Sequence, residues 1–369
     1  MHTRIAGLVV AVQIVLFLAS WFAYETWTAF QASPDPPGIT GLEIAVAVFA
    51  VSFVAASLLA FRYSNLAVRL LYRIASAWVG ILNFLLWAAG ACWVLYLAGL
   101  LAGFDLPRSA IAVIAFGVAA AIAIYGMINA GWLRVRRVQV KLQNLPESWR
   151  GRVAALVSDV HLGPVHGRGF MRRIVRKLAA LGPDIVFIAG DLYDGTAIDA
   201  SAAAAPWKEL APPFGTYFAT GNHEEFSDPT KYLEAVSRSG IRVLNNEKVT
   251  VEGLDIVGVS YSASTRPGSL RSVLQRCGLE GNRATVLLSH SPHALDVAEA
   301  AGVSLQLSGH THGGQFFPFT WLTRRIFGAY TYGLHAFGRL RVYTSSGAGT
   351  WGPPLRVGTH PEIVLIEFA

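Results

Sequence analysis

Long apolar stretches separated by short polar ones dominate the first third of the chain. They run from Ile5 to about Tyr24, broken only by Gln13, from Ile44 to Phe61, from about Ile74 to Leu101, and from about Ala110 to Ala130. Each is long enough to cross, as a helix, a hydrocarbon layer about 30 Å thick, which predicts four transmembrane spans. The third exceeds what a perpendicular crossing needs and is expected to tilt, or to end at the interface near Leu97 to Ala102. Arg4 ahead of the first run is compatible with a cleaved signal peptide. The run is long for one, however, and further spans come after it, so a span is expected.

Beyond Ala130 the pattern changes. Val138-Gln-Val-Lys-Leu142 alternates with period two and predicts a half-exposed strand. Short, continuous apolar runs then appear at Val153 to Val157, Ile185 to Ala189, Gly215 to Ala219, Ala284 to Leu288 and Val303 to Leu307. Runs of this kind belong to strands covered on both faces. Between them lie helical stretches at about Gly169 to Leu181, Asp199 to Leu210 and Thr230 to Ser239. A β-rich region spans Val243 to Tyr261, and late strands are expected near Leu340 to Ser345 and Ile363 to Phe368. The order predicts an α/β domain after a helical membrane region, divided as 1–130, a linker and first strand at 131–150, and 151–369.

Composition supports the division. Hydrophobic residues make up 53% of the 369 and charged residues only 14%, with a mean hydropathy of +0.44, too apolar for an ordinary soluble protein. The net charge of +7 raises nucleic acid as a partner. No basic run with interleaved aromatics appears, and many arginines flank the apolar runs, so nucleic-acid binding is not expected. Arg62, Arg69 and Arg73 come after the second run; Arg134, Arg136, Arg137 and Lys141 come after the fourth; Glu25 to Thr40, with its Pro34-Asp-Pro-Pro37 turn, has neither Lys nor Arg. Basic loops stay cytoplasmic, which predicts a multi-pass protein of the inner (cytoplasmic) membrane with both termini and the α/β domain inside; Arg108 alone points the other way. Inside the spans the amide side chains are Gln13, Asn83 and Asn129, with no acid or base, so an anchor is expected rather than a transporter. Cys92 and Cys277 lie in different regions and give no disulfide framework.

The residues just beyond each short apolar run carry the chemistry. Asp159 and His161 lie after the first run, Asp191 after the second, Asn222 and His223 after the third, His290 after the fourth, and His310 and His312 after the fifth. In α/β sheets sites form beyond the strand ends. Carboxylate or amide oxygens from Asp159, Asp191 and Asn222, with imidazoles from His161, His290, His310 and His312, are too many for one tetrahedral ion. They suit two adjacent divalent ions sharing a carboxylate. The absence of cysteine argues against structural zinc, and a mixed O/N set suits Mn, Fe or Zn. His166, His293 and His335 lie outside the pattern and are expected on the surface or rim. Arg168, Arg172, Arg173 and Arg176 form a basic helical face that could meet anionic headgroups.

The blocks Asp159-Val-His161, Gly190-Asp191, Gly221-Asn-His-Glu224, His290 and Gly309-His-Thr-His312, in that order, resemble the calcineurin-like metallophosphoesterases. The extension through Gln315 and the late Ser346-Gly-Ala-Gly-Thr-Trp-Gly-Pro-Pro354, with Arg356 after it, resembles their membrane-associated bacterial phosphodiesterase branch. The resemblance covers roughly Arg137 to Ala369 and says nothing about the spans. It implies a four-layer α/β/β/α sandwich. It also implies one ion on Asp159, His161 and His312, a second on Asn222, His290 and His310, and Asp191 bridging them. A metal-bridging hydroxide would attack the phosphorus, His223 would protonate the leaving oxygen, and Glu224 would orient His223. One departure is Gly258-Val259-Ser260, where many relatives carry an Asp outside the ligand set.

The function expected is hydrolysis of a phosphodiester or pyrophosphate at a membrane. A lipid-linked substrate such as UDP-diacylglucosamine is one expectation, because anchoring concentrates a site on whatever shares its surface. The alternatives are a tethered general phosphodiesterase and a phosphate- or nucleotide-binding sensor or scaffold without turnover.

Overall fold

The computed structural model describes residues 2–31, 40–226, 228–279 and 282–369. The chain forms two compact units, Met1–Asn129 with Gly352–Val357, and Ala130–Trp351 with Gly358–Ala369.

The first unit is helical: α1 (His2–Gln31), α2 (Gly41–Arg62), α3 (Leu66–Leu101) and most of α4 (Arg108–Gly131). All four are long and apolar enough to cross a membrane. Two helices outrun the apolar stretches that predict them. Helix α1 continues past Tyr24 to Gln31, and α3 starts at Leu66, taking in Arg69 and Arg73. Nothing breaks either helix at the apolar boundary, and Asn65 caps α3 by accepting from the Val68 N–H at 3.0 Å. The proline-rich turn at 34–37 lies outside the described residues. Small side chains fill the helix contacts, with Ala56, Ala60, Ala75 and Ala89 fully buried, as apolar surroundings favour. Gln13 Nε2 donates across to the Ala50 carbonyl at 3.0 Å. The segment Gly352–Val357 packs with these helices: the Asn129 amide donates to the Arg356 carbonyl at 2.9 Å, and Leu355 fills the space beside Gly80.

The second unit holds two six-stranded sheets. The first has the order β1 (Arg134–Val140), β12 (Glu362–Phe368), β2 (Val153–Val157), β3 (Ile185–Ala189), β4 (Thr216–Ala219), β5 (Arg242–Val243). The second runs β10 (Gly333–Phe337), β11 (Leu340–Thr344), β9 (Leu305–Ser308), β8 (Thr285–Leu288), β7 (Leu254–Gly258), β6 (Glu247–Val251). Strands β2 to β5 are mutually parallel, as are β7, β8, β9 and β11.

Period two explains the layers. In β2, Ala154 and Leu156 face a core shared with Ile256, Val286, Leu288 and Leu307 of the second sheet. Ala155 and Val157 face the opposite way, onto α5 (Arg168–Leu181), α6 (Ala200–Ala204) and α7 (Thr230–Arg238). Beyond the second sheet, Val257, Leu287 and Val342 pack on α9 (Ser269–Cys277) and α10 (Leu295–Ala300), which come after the short α8 (Tyr261–Thr265). The architecture is therefore a four-layer α/β/β/α sandwich. Strand β1 begins at Arg134, four residues before the predicted one, because pairing with β12 extends through its arginines. Helix α11 (Phe319–Phe327), α8 to α10 and β10 sit where apolar runs are too short to announce themselves.

Candidate metal centre

Five strands, three from the first sheet and two from the second, end at one site. After β2 come Asp159 and His161, after β3 Asp191, after β4 Asn222 and His223, after β8 His290, and after β9 His310 and His312. The register keeps the ends level: Val157 pairs with Ile188, and Ile188 with Phe218. The chain turns sharply there. Asp159, His161, Asp191, His310 and His312 all have positive φ, between 50° and 70°. Such conformations cost non-glycine residues free energy and cluster at functional sites, where surrounding contacts fix them. Here the fixing contacts run between loops: Asp159 N–H to the Gly190 carbonyl at 3.1 Å, and His161 N–H to the Asp191 carbonyl at 3.0 Å. Two glycines are required by close approach. A Cβ at Gly221 would run into the Asp191 carboxylate, and one at Gly309 into Asp159 and Ser158.

Three groups form, each with candidate ligand atoms within 4.8 Å of one another: Asp159, His161 and His312; His161, Asp191 and His223; Asp191, His290 and His310. His161 Nε2 lies 3.0 Å from His312 Nε2, and His312 Nε2 3.5 Å from Asp159 Oδ1. On the other side, Asn222 Oδ1 lies 3.0 Å from His310 Nδ1, and His290 Nε2 3.1 Å from Asp191 Oδ2. That same Asp191 oxygen is 3.8 Å from His161 Nε2 and 3.9 Å from His223 Nε2, so it faces both groups. The chemistry of the set fits cations. His290 Nδ1 hydrogen-bonds the Ala189 carbonyl at 2.7 Å, which turns the Nε2 lone pair toward the carboxylates, and Nε2 is buried without a hydrogen bond. Orientation of the ligating nitrogen through the other ring nitrogen is the usual device of metal-binding histidines.

Residues 153–314 match the family described as calcineurin-like phosphoesterase. A protein of Aquifex aeolicus described as an uncharacterized metallophosphoesterase is 30% identical over 258 residues, covering 68% of this chain and 97% of that one. The chain belongs to the calcineurin-like phosphoesterases. A Danio rerio transmembrane protein with metallophosphoesterase domain is 35% identical over 275 residues, covering 69% of this chain and 62% of its own length. An uncharacterized metallophosphoesterase of Campylobacter jejuni is 32% identical over 251 residues, covering 66% of each. The chain thus spans just under two thirds of these last two relatives.

Burial and mutual charge shift the groups of this centre strongly. Burial, then the neighbouring charge of His223, holds His161 well below the ordinary imidazole range. Burial alone would raise Asp191, but the imidazoles of His290, His223 and His161 together hold it well below the carboxylate range. Burial opposes protonation of His290, yet Asp191 and Asp159 outweigh it and push that imidazole up to about 10.

His223 faces the site as expected, but Glu224 is placed differently. The His223 ring donates through Nδ1 to the Asp194 carbonyl at 2.8 Å, leaving Nε2 toward Asp191. Glu224 does not hold that ring. Fully buried, its carboxylate accepts from the backbone N–H groups of Asp191, Tyr193 and Gly221 at 3.0, 2.9 and 2.8 Å. It thereby ties the loops after β3 and β4 together, and the group that holds the His223 ring is the backbone carbonyl of Asp194. Sequence reasoning misses that residue; its place three residues after Asp191 is the only available signal. Burial pushes the Asp194 carboxyl up to about 6. His166, His293 and His335 belong to none of the three groups. His166 bonds Thr350 at 3.0 Å, His293 bonds Ser291 at 2.6 Å, and His335 bonds the Tyr332 carbonyl at 3.0 Å. Three aromatic neighbours are equally hidden in the sequence: Tyr261, 5.5 Å from His310 between ring centres, and Phe226 and Trp351, 4.3 and 6.3 Å from His223.

Proposed function

We propose that this chain hydrolyses a phosphodiester or pyrophosphate at a site for two divalent ions, manganese, iron or zinc. The observation that carries the reading is the sharing of Asp191 between two of the three close ligand groups. Asp159, His161 and His312 would hold one ion, Asn222, His290 and His310 the other, with Asp191 between. Bound there, such a pair supplies Lewis-acid charge and a nucleophilic water at neutral pH. The chain's own contribution is orientation and a proton. His223, held through Nδ1 by the Asp194 carbonyl, presents Nε2 to the site and, when protonated, delivers that proton to the leaving oxygen. Glu224 keeps the amides of Asp191 and Gly221 in register and acts through them.

The finer reading is a lipid-linked substrate, such as an acylated sugar nucleotide, reached from the cytoplasmic face of the inner membrane. It is supported by the four apolar helices and by the arginines clustered on one side of them. The test is kcat/KM of the full-length, metal-loaded protein in liposomes, for an acylated pyrophosphate and its deacylated counterpart. A clear preference for the acylated form is expected. Equal values would reduce the helices to a tether for a general phosphodiesterase, and no turnover of any phosphoester would leave a binding protein. A reporter fused after Ala369 is expected to work only as a cytoplasmic one.

A further inference from the structure

Helix α11 is anomalous for a water-facing domain. Its nine residues include no buried one. Phe319, Trp321, Leu322 and Ile326 are 48, 56, 44 and 61% exposed. Phe319, Leu322 and Ile326 share a stripe at helical spacing, and the only charges on the helix are Arg324 and Arg325, the latter 5.4 Å from the Trp321 ring centre.

The exposure is also localised. Among the described residues after Trp132, the exposed large hydrophobics are confined to α11, the preceding Phe317, and Phe226 and Trp351. These are the two aromatics that flank His223. Trp351 is joined to the α11 side by a pair of hydrogen bonds with the Gln315 side chain, at 3.0 and 3.1 Å. At the far end of α11, Phe327 lies 6.2 Å from the His310 ring. One apolar, basic rim thus borders the metal-centre residues.

We infer that α11, with Phe226 and Trp351, seats in the boundary between headgroups and acyl chains of an anionic bilayer. Three observations select lipid as the occupant. An exposed helix with aromatic and aliphatic residues on one stripe and arginines beside it has the composition of interfacial helices. Its charge is purely basic, complementary to anionic headgroups. Only Trp132 and Leu133 separate the apolar helix α4 from β1, a connection of about 10 Å at full stretch, so the domain is tethered closely to the end of that helix. The seating brings the rim of the site to lipid, which suits a substrate whose phosphate lies at the headgroup level. It does not depend on the proposed hydrolysis, so the two can fail separately.

The test uses the full chain in nanodiscs of zwitterionic and anionic phospholipid. Cys277 is replaced by serine and buried Cys92 is kept. A spin label goes at Leu322→Cys or Ile326→Cys, and for comparison at Gln275→Cys on exposed α9. Labels at 322 and 326 are expected to relax about threefold more with dissolved oxygen than with a water-soluble nickel chelate, the signature of an interfacial helix, and the label at 275 the reverse. Arg324→Glu with Arg325→Glu should raise nickel access at 322. Nickel access at 322 and 326 equal to that at 275 would overturn the inference. So would spin–spin broadening that disappears on dilution with unlabelled protein, which would make a second copy the occupant. If the cysteine variants do not fold, quenching of native fluorescence by acyl-brominated lipids replaces them. Trp321→Phe should reduce that quenching, and an unchanged quenched fraction would equally overturn the inference.

Discussion

The two units bury opposite things. In the helical unit Ala56, Ala60, Ala75 and Ala89 lie inside with a few large residues such as Phe30 and Leu82, while Leu8, Val48, Leu58, Val94 and Ile114 face outward. In the α/β unit the large aliphatics go inside, and so do Asp159, Asp191, Glu224 and His290. Each surface reports its solvent: apolar groups can face lipid freely, and between helices only close packing remains to drive contact. The sandwich faces water apart from one rim. Its buried charges are tolerable only when partnered, so the unit that looks better packed should be the one most sensitive to losing a single charge.

The sharpest way to break that comparison is Asp191→Asn, which keeps shape and removes the charge facing both ligand groups. Turnover is expected to fall by on the order of 10³ or more, with metal content lost from both positions, because buried charges left without their partner are strongly disfavoured. Helical content in detergent should not change. Normal hydrolysis and metal content would dismiss the shared-carboxylate reading. Next in size is His223→Ala, expected to keep its metals and lose about 10²–10⁴ in rate. The loss should shrink for p-nitrophenyl diesters, whose leaving groups need little protonation; an equal loss for good and poor leaving groups would refute the proton-donor role.

Asp194 gives a pH-dependent effect of opposite sign. Its carboxyl is held up to about 6 in the folded protein, against an ordinary value of 3.8. Below 3.8 both states carry the proton. Between 3.8 and 6 the unfolded chain releases it first, so stability falls as pH rises through that window. In metal-stripped protein, Asp194→Asn should therefore match wild type at about pH 3.5 and exceed it at about pH 7, by on the order of 3 kcal/mol. Denaturant titrations at the two pH values check this; a constant difference would remove Asp194 as the cause.

The smallest effect belongs to the helices. A Cβ at Gly80 collides with Leu355, whereas one at Gly90 meets nothing within 4 Å. Gly80→Val should destabilise the helical unit by about 1–3 kcal/mol, and Gly90→Val should fall within about 0.5 kcal/mol of wild type. Equal thermal shifts for the two would show that small residues at these contacts are not what sets packing.

Much of this was legible because it is local. A run of about twenty apolar residues is a spanning helix whatever surrounds it, and β2, β3, β8 and β9 are short apolar runs with an acid or histidine close behind. Strand ends, ligand order and the two-sided burial of the sheets come from such runs and their period. The partners of the chemical groups do not. Asp194 holds His223 only because β3 and β4 pair in parallel with level ends, and Glu224 reaches amides on two loops for the same reason. The apolar rim was equally hidden, since Phe319 to Phe327 is too short an apolar run to announce a helix, and only the fold shows its residues left exposed. The segment Gly352–Val357 looks in sequence like a loop of the α/β domain, yet it groups with helices more than two hundred residues earlier. The sequence by itself determined the four long apolar helices, the main buried strands and the order of the candidate ligands, because hydropathy and periodicity act over a few turns of chain. Only the tertiary structure decided which group orients which, and which surface is left bare, because those depend on contacts between residues far apart in the chain.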